Sequence, residues 1–141
     1  SQYDEALKIL ENILQDFPSD VPALNMKGYT LEKKGNINDS IRAYSEVFKF
    51  DKTNLNSMNS TAYLMAKTGI NIKKALEIAE YVFRRDRNNP AYRDTLGYIY
   101  LKTGNYEQAE KHLSAPFKEM PLSEEIASHI EELKTKFKTN P

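Results

Sequence analysis

The chain is predicted to be all-α, a tandem array of helix pairs. Three observations predict it: residue columns that recur every 34 or 35 positions, helical apolar spacing inside each period, and a glycine at the same place in each period. Gly35, Gly69 and Gly104 are 34 and 35 residues apart, and Gly28, Ala62 and Gly97 keep the same two gaps. Ala6, Ser40, Ala75 and Ala109 step by 34, 35 and 34, as do Leu14, Phe48, Phe83 and Phe117, and Tyr3, Ile37, Ile72 and Tyr106. The one-residue insertion falls in Gly69-Ile70-Asn71-Ile72. A turn absorbs an extra residue at little cost, whereas a helix would have its apolar face rotated by about 100°.

The elements follow in order. Tyr3, Ala6, Leu7, Leu10, Ile13, Leu14 and Phe17 trace one stripe at steps of three and four, predicting a helix over about 2–17. The next, 21–34, stops before Gly35, where a left-handed C-cap suits a residue without Cβ. The columns then place helices over 37–50, 55–68 ending before Gly69, 72–86, 91–103 ending before Gly104, and 106–119. Lys33, Lys67 and Lys102 recur in the last turn before each of these glycines, where a cation complements the helix dipole. Pro116 deletes one backbone hydrogen bond and predicts a kink or an early end in the seventh helix. An eighth, 123–137, is expected to start at Ser123 as N-cap with Glu124 and Glu125 in its first turn, and to cover the last pair with Ile126, Ile130, Leu133 and Phe137.

Composition narrows the function classes. The 141 residues can bury a core without disulfides or metals. Twenty Lys plus Arg against twenty Asp plus Glu leave no net charge, which argues against a broad electrostatic grip on nucleic acid or anionic lipid. No apolar run approaches 18 residues, so membrane insertion is not expected. The absence of Cys removes disulfides, thiolate zinc sites and cysteine nucleophiles together, and leaves the compartment open. His112 and His129 lie on different predicted helices without carboxylates at ligand spacing, so no metal site is expected. No nucleotide-binding, hydrolase or metalloprotease motif occurs. The reading is that the chain is not an enzyme and takes no cofactor. Fifteen Lys against five Arg, with twelve Asn, lean towards a bacterial source.

These columns resemble the tetratricopeptide repeat (TPR) family, whose repeating unit is a helix-turn-helix of 34 residues with small and aromatic residues at fixed places. The stretch Asn89-Pro90-Ala91-Tyr92-Arg93-Asp94-Thr95-Leu96-Gly97-Tyr98, followed by Gly104-Asn105-Tyr106-Glu107-Gln108-Ala109, is most like bacterial members. Arg93 departs from the pattern where a large apolar residue is usual, and Lys52 and Arg87 stand where Pro18 and Pro121 stand in the other repeats. The resemblance implies an α-solenoid of about eight helices, a right-handed superhelix with a concave groove. Residues 1–141 would form a single domain: 1–20 the second helix of a partial repeat, 21–54, 55–89 and 90–123 complete repeats, and 124–141 a capping helix and tail.

Gly28, Ala62 and Gly97 are expected where the first helix of each repeat crosses its partner at close range. Tyr29, Tyr63 and Tyr98 also recur, each one helical turn after Asn25, Asn59 and Asp94. Residues four apart share a helix face. In the resembling family these places line the concave groove, so Asn25, Tyr29, Asn59, Tyr63, Asp94 and Tyr98 are the candidate partner-binding residues. Amide, carboxylate and phenol groups suit the backbone and side chains of a bound peptide. The alternative for the tyrosines is interhelical packing. The basic clamp by which some members hold acidic chaperone tails is missing, since the corresponding places hold Pro22, Asn25, Asn56, Asn59, Ala91, Asp94 and Thr95. The dense basic stretch Lys73, Lys74, Arg84, Arg85 and Arg87 reads as a solvated face.

The expected function is a non-catalytic scaffold that binds a peptide or partner helix in this groove. The alternative is a structural module that forms homo-oligomers through the N-terminal edge, where Tyr3, Ala6, Leu10, Ile13 and Phe17 lack a covering helix. The same feature leads us to expect further repeats upstream in a longer protein. RNA reading of the kind seen in pentatricopeptide repeats is disfavoured by the zero net charge.

Overall fold

A computed structural model describes residues 1–119 and 124–139, with side chains for 1–113 and 127–136. Eight helices and no strand occur among the described residues: α1 Gln2–Asp16, α2 Val21–Lys34, α3 Ile37–Phe50, α4 Leu55–Thr68, α5 Ile72–Arg85, α6 Pro90–Lys102, α7 Tyr106–Glu119 and α8 Glu124–Thr139. Every expected helix is present with ends within two residues of those read from the sequence. None is long and apolar enough to cross a membrane among the described residues. The helix α7 runs on past Pro116 to Glu119, so it does not end early there. The expected Ser123 N-cap lies outside the described residues, as do the side chains of Ile126 and Phe137.

The punctuation is local chemistry. Gly35, Gly69 and Gly104 have φ of 88°, 74° and 79°, left-handed values that a Cβ would penalise. Behind each, a backbone N–H closes on the helix it terminates: Asn36 N to Leu31 O, Ile70 N to Met65 O and Asn105 N to Tyr100 O, all 2.9 Å. The inserted residue appears at Asn71, whose φ of 46° is the only positive value outside glycine among the described residues, and its side chain accepts from Lys74 N. Asp20 caps α2 through Ala23 N at 2.8 Å, and Asn89 caps α6 through Ala91 N at 3.0 Å, each next to a proline in the first turn. Ser1 and Asp4 form a capping box at the start of α1.

The chain divides into two compact units, Ser1–Leu64 and Met65–Pro141. In the first, α2 packs on α1 and α3. Its core holds Leu10, Leu24, Leu31, Ala43, Tyr44 and Val47. Gly28 sits at the α2/α3 crossing, where an added Cβ would lie 2.7 Å from two ring carbons of Tyr44, and its carbonyl accepts from Ser40 Oγ at 2.7 Å. Lys34 bridges back to Asp4, which holds that carboxyl well below the usual range. Of the residues expected to lie uncovered at the N-terminal edge, Tyr3, Ile13 and Phe17 remain 43, 37 and 65 % exposed, whereas Ala6 is half-buried and Leu10 is buried in this unit's core; Ile9, outside that expected set, is 61 % exposed.

In the second unit, α6 packs on α5 and α7, and α7 on α8. Gly97 repeats the crossing, with a would-be Cβ 2.8 Å from Leu113 Cγ. Leu101, Ala109, Leu113 and Leu133 form one cluster with Ile130 against it, so α8 covers the last pair as its apolar stripe predicts. Lys102 and Glu132 pair at 3.2 Å across the same seam.

Candidate partner-binding surface

The six candidate residues fall into two environments. In the first unit, Asn25 is half-buried and Tyr29 is 52 % exposed on α2, with Lys33 Nζ 5.3 Å from the Tyr29 ring centroid. Their i, i+4 relation places both on one face of α2. Asn25 Oδ1 accepts a hydrogen bond from Ser57 Oγ, which also reaches Asn54 Oδ1 at 3.0 Å. This hydroxyl ties the start of α4 to the candidate face of α2. Asn59 and Tyr63 are half-buried on α4, and Asn59 Oδ1 is a buried acceptor without a hydrogen-bond partner.

The environment in the second unit is different. Asp94 is 4 % exposed and Tyr98 is 6 % exposed. The Nδ1–H of His129, on α8, lies 2.9 Å from both Asp94 carboxylate oxygens, and its ring stacks on Tyr98 at 4.3 Å between centroids. Lys102 Nζ lies 5.2 Å from the same Tyr98 ring. The third pair, the one with a carboxylate, is therefore occupied by α8 of the same chain and presents no open surface. A buried carboxylate needs such a donor. The signal was in the sequence: His129 continues the Asn25, Asn59, Asp94 column at 34, 35 and 35 residues.

His112 is also buried, its ring stacked on Tyr100 at 5.7 Å and edge-on to Phe83 at 5.0 Å. Burial, with help from the positive charges of Lys111 and Arg93, holds its pKa below the ordinary imidazole value. The Tyr100 hydroxyl donates to Glu80 Oε1 at 2.9 Å and is pushed up to about 12 by burial and by that carboxylate. Tyr44 is likewise pushed up to about 12 by burial and by Glu32. No three metal-ligating side chains converge among the described residues. In the basic stretch, Lys74 pairs with Glu77 at 3.4 Å and the Arg85 guanidinium lies 4.5 Å from the Tyr81 ring centroid.

The tetratricopeptide repeat model matches residues 21–54, which hold α2 and α3, and 92–115, which hold most of α6 and α7. This is a tetratricopeptide repeat protein. A TPR repeat-containing protein of Pseudomonas aeruginosa is 22 % identical over 131 residues, covering 93 % of this chain and 22 % of its own length. The chain thus spans about a fifth of that curated relative. Among solved structures, a tetratricopeptide repeat protein from Parabacteroides merdae aligns with a TM-score of 0.85 at 14 % identity, covering 99 % of this chain and 54 % of the other. MamA from Desulfovibrio magneticus RS-1, from residue 41 to its end, aligns at 0.78 and 15 %, covering 99 % and 88 %. At these identities the structural likeness is one of fold. TPR proteins bind protein partners, and the repeats found here are of the kind that builds protein-interaction scaffolds.

Proposed function

We propose that this TPR chain is a non-catalytic scaffold whose candidate face on α2 and α4 receives a peptide or partner helix. The observation that carries the reading is Tyr29, a phenol left 52 % exposed at a repeat position whose counterpart Tyr98 is covered by a helix of the same chain. A large ring facing water offers apolar area and a hydroxyl at low entropy cost. Asn25, Asn59 and Tyr63 extend that surface. Asp94 and Tyr98 stay covered by α8. Tyr29→Ala should weaken binding to a captured partner by about 1–2 kcal/mol while leaving the melt unchanged. Equal affinity for wild type and variant, measured by titration calorimetry, would move the site elsewhere.

A second reading rests on its own observation. Ile9 on α1 and Phe17 at its C-cap are 61 and 65 % exposed, and uncovered large apolar side chains favour association. In this reading α1 forms a homo-oligomer. Light scattering over a concentration series tests it: Phe17→Lys should shift the average mass towards monomer, and identical strictly monomeric curves would dismiss it.

A further inference from the structure

The two units are related by a 69-residue step, the interval from Gly28 to Gly97, and this step exposes a difference in how one location is filled. In the first unit a cleft of about 240 Å³ opens between α1 and α3 above α2. Buried Leu24, Leu31 and Ala43 form its floor, and Glu11, Lys27 and Arg42 form its rim. Glu11 and Lys27 pair loosely at 3.8 Å, and Arg42 is held by Asp39 at 3.1 Å.

Sixty-nine residues on, Glu11 becomes Glu80, Leu14 becomes Phe83, Leu31 becomes Tyr100 and Ala43 becomes His112. There the location is full. The Tyr100 ring stacks on His112, Phe83 meets His112 edge-on, and the Tyr100 hydroxyl donates to Glu80. The first unit keeps the carboxylate acceptor but carries leucine and alanine in place of the phenol and imidazole. In the second unit this location therefore holds an aromatic ring whose hydroxyl is directed at the glutamate.

We propose that the α1/α3 cleft is a docking site for a tyrosine side chain of a partner polypeptide, its ring laid over Leu31 and Ala43 and its hydroxyl donating to Glu11. The volume, below the roughly 300–1,000 Å³ of small-molecule pockets, suits one side chain rather than a cofactor. Tyrosine is also an economical anchor, since only two torsions are fixed on insertion. The cleft uses Leu24, Lys27 and Leu31, a different face of α2 from Asn25 and Tyr29, so it stands apart from the surface proposed above.

The test is an amide-resolved NMR titration of the full chain with p-cresol, which reproduces the tyrosine side chain, and with toluene, which lacks the hydroxyl. Expected are shifts concentrated at the amides of Leu24, Lys27, Leu31 and Ala43. Toluene and the Glu11→Ala variant should each bind about 3- to 10-fold more weakly than p-cresol to wild type, the loss of one hydrogen bond to a charged group near water. The peptide acetyl-Ala-Tyr-Ala-amide should reproduce the p-cresol pattern, and its all-alanine version should not. The double variant Leu31→Tyr/Ala43→His should abolish the shifts; should it fail to melt like wild type, Ala43→Phe serves as the second blocking variant. Tyr29→Ala should leave the titration unchanged. No cleft shifts with p-cresol, equal binding of toluene, or shifts that survive a folded blocking variant would each overturn the proposal.

Discussion

Gly97→Leu measures how closely the helix pairs approach. A Cβ alone at this position would lie 2.8 and 2.9 Å from Leu113 Cγ and Cδ2 and 3.1 Å from His112 Cβ. Leu113 is fully buried and cannot swing into solvent, so α6 and α7 must separate or Leu113 must leave its rotamer. Overpacking of this kind costs about 1–3 kcal/mol, and the leucine side chain adds three carbons beyond the clashing Cβ. Replacing a helical glycine returns about 0.8–1 kcal/mol of propensity, which only partly offsets the strain. With the clash against a fully buried Leu113 placing the strain in the upper part of that range, the net expectation is a loss of about 1–2 kcal/mol, or a melting temperature lower by roughly 3–8 °C in far-UV circular dichroism. The decisive measurement is a double-mutant cycle. Leu113→Ala alone should cost about 2–5 kcal/mol through its cavity, but in the Gly97→Leu background the new side chain fills that cavity. The two losses should fall short of additive by about 1 kcal/mol or more. An unchanged melt for Gly97→Leu, or strict additivity with Leu113→Ala, would refute the close crossing.

Other positions make separate predictions. His112 has a depressed pKa in the folded chain, so the unfolded chain takes up a proton first as pH falls below about 6.5 and stability drops through that window; urea titrations at pH 7.5 and 5.5 should show a smaller drop in His112→Leu than in wild type. Asp94→Ala leaves His129 Nδ1–H buried without its acceptor and should cost about 1–3 kcal/mol, with amide exchange accelerated first in α8. Asn71→Ala loses both the cap to Lys74 N and a residue tolerant of left-handed backbone, for about 1–2 kcal/mol, whereas Asn71→Gly should melt within a few degrees of wild type.

How much was legible follows from the range over which each signal acts. Glycine at 35, 69 and 104 fixes where three helices stop because its backbone freedom is a property of that residue alone. The extra residue near Asn71 could be placed because a helix cannot absorb it without turning its buried face away. Gly28 and Gly97 could be read as crossings because only a missing side chain admits Tyr44 or Leu113 at that distance. The candidate site was less legible. Asn25 with Tyr29 and Asp94 with Tyr98 share one sequence pattern, yet Tyr29 is exposed beside a half-buried Asn25 while Asp94 and Tyr98 are both buried.

The sequence by itself thus determined the helices, their caps, their period and the small residues at their crossings, since these depend on local backbone preference and apolar spacing. Only the tertiary structure decided which repeated positions stay open. Burial of Tyr98 depends on an imidazole 31 residues further along, and the cleft over Leu31 exists because Ala43, from another helix, is too small to fill it. Exposure is set by what a neighbouring helix brings to a residue, and that neighbour is chosen by packing across the fold rather than by the residue's own place in the repeat.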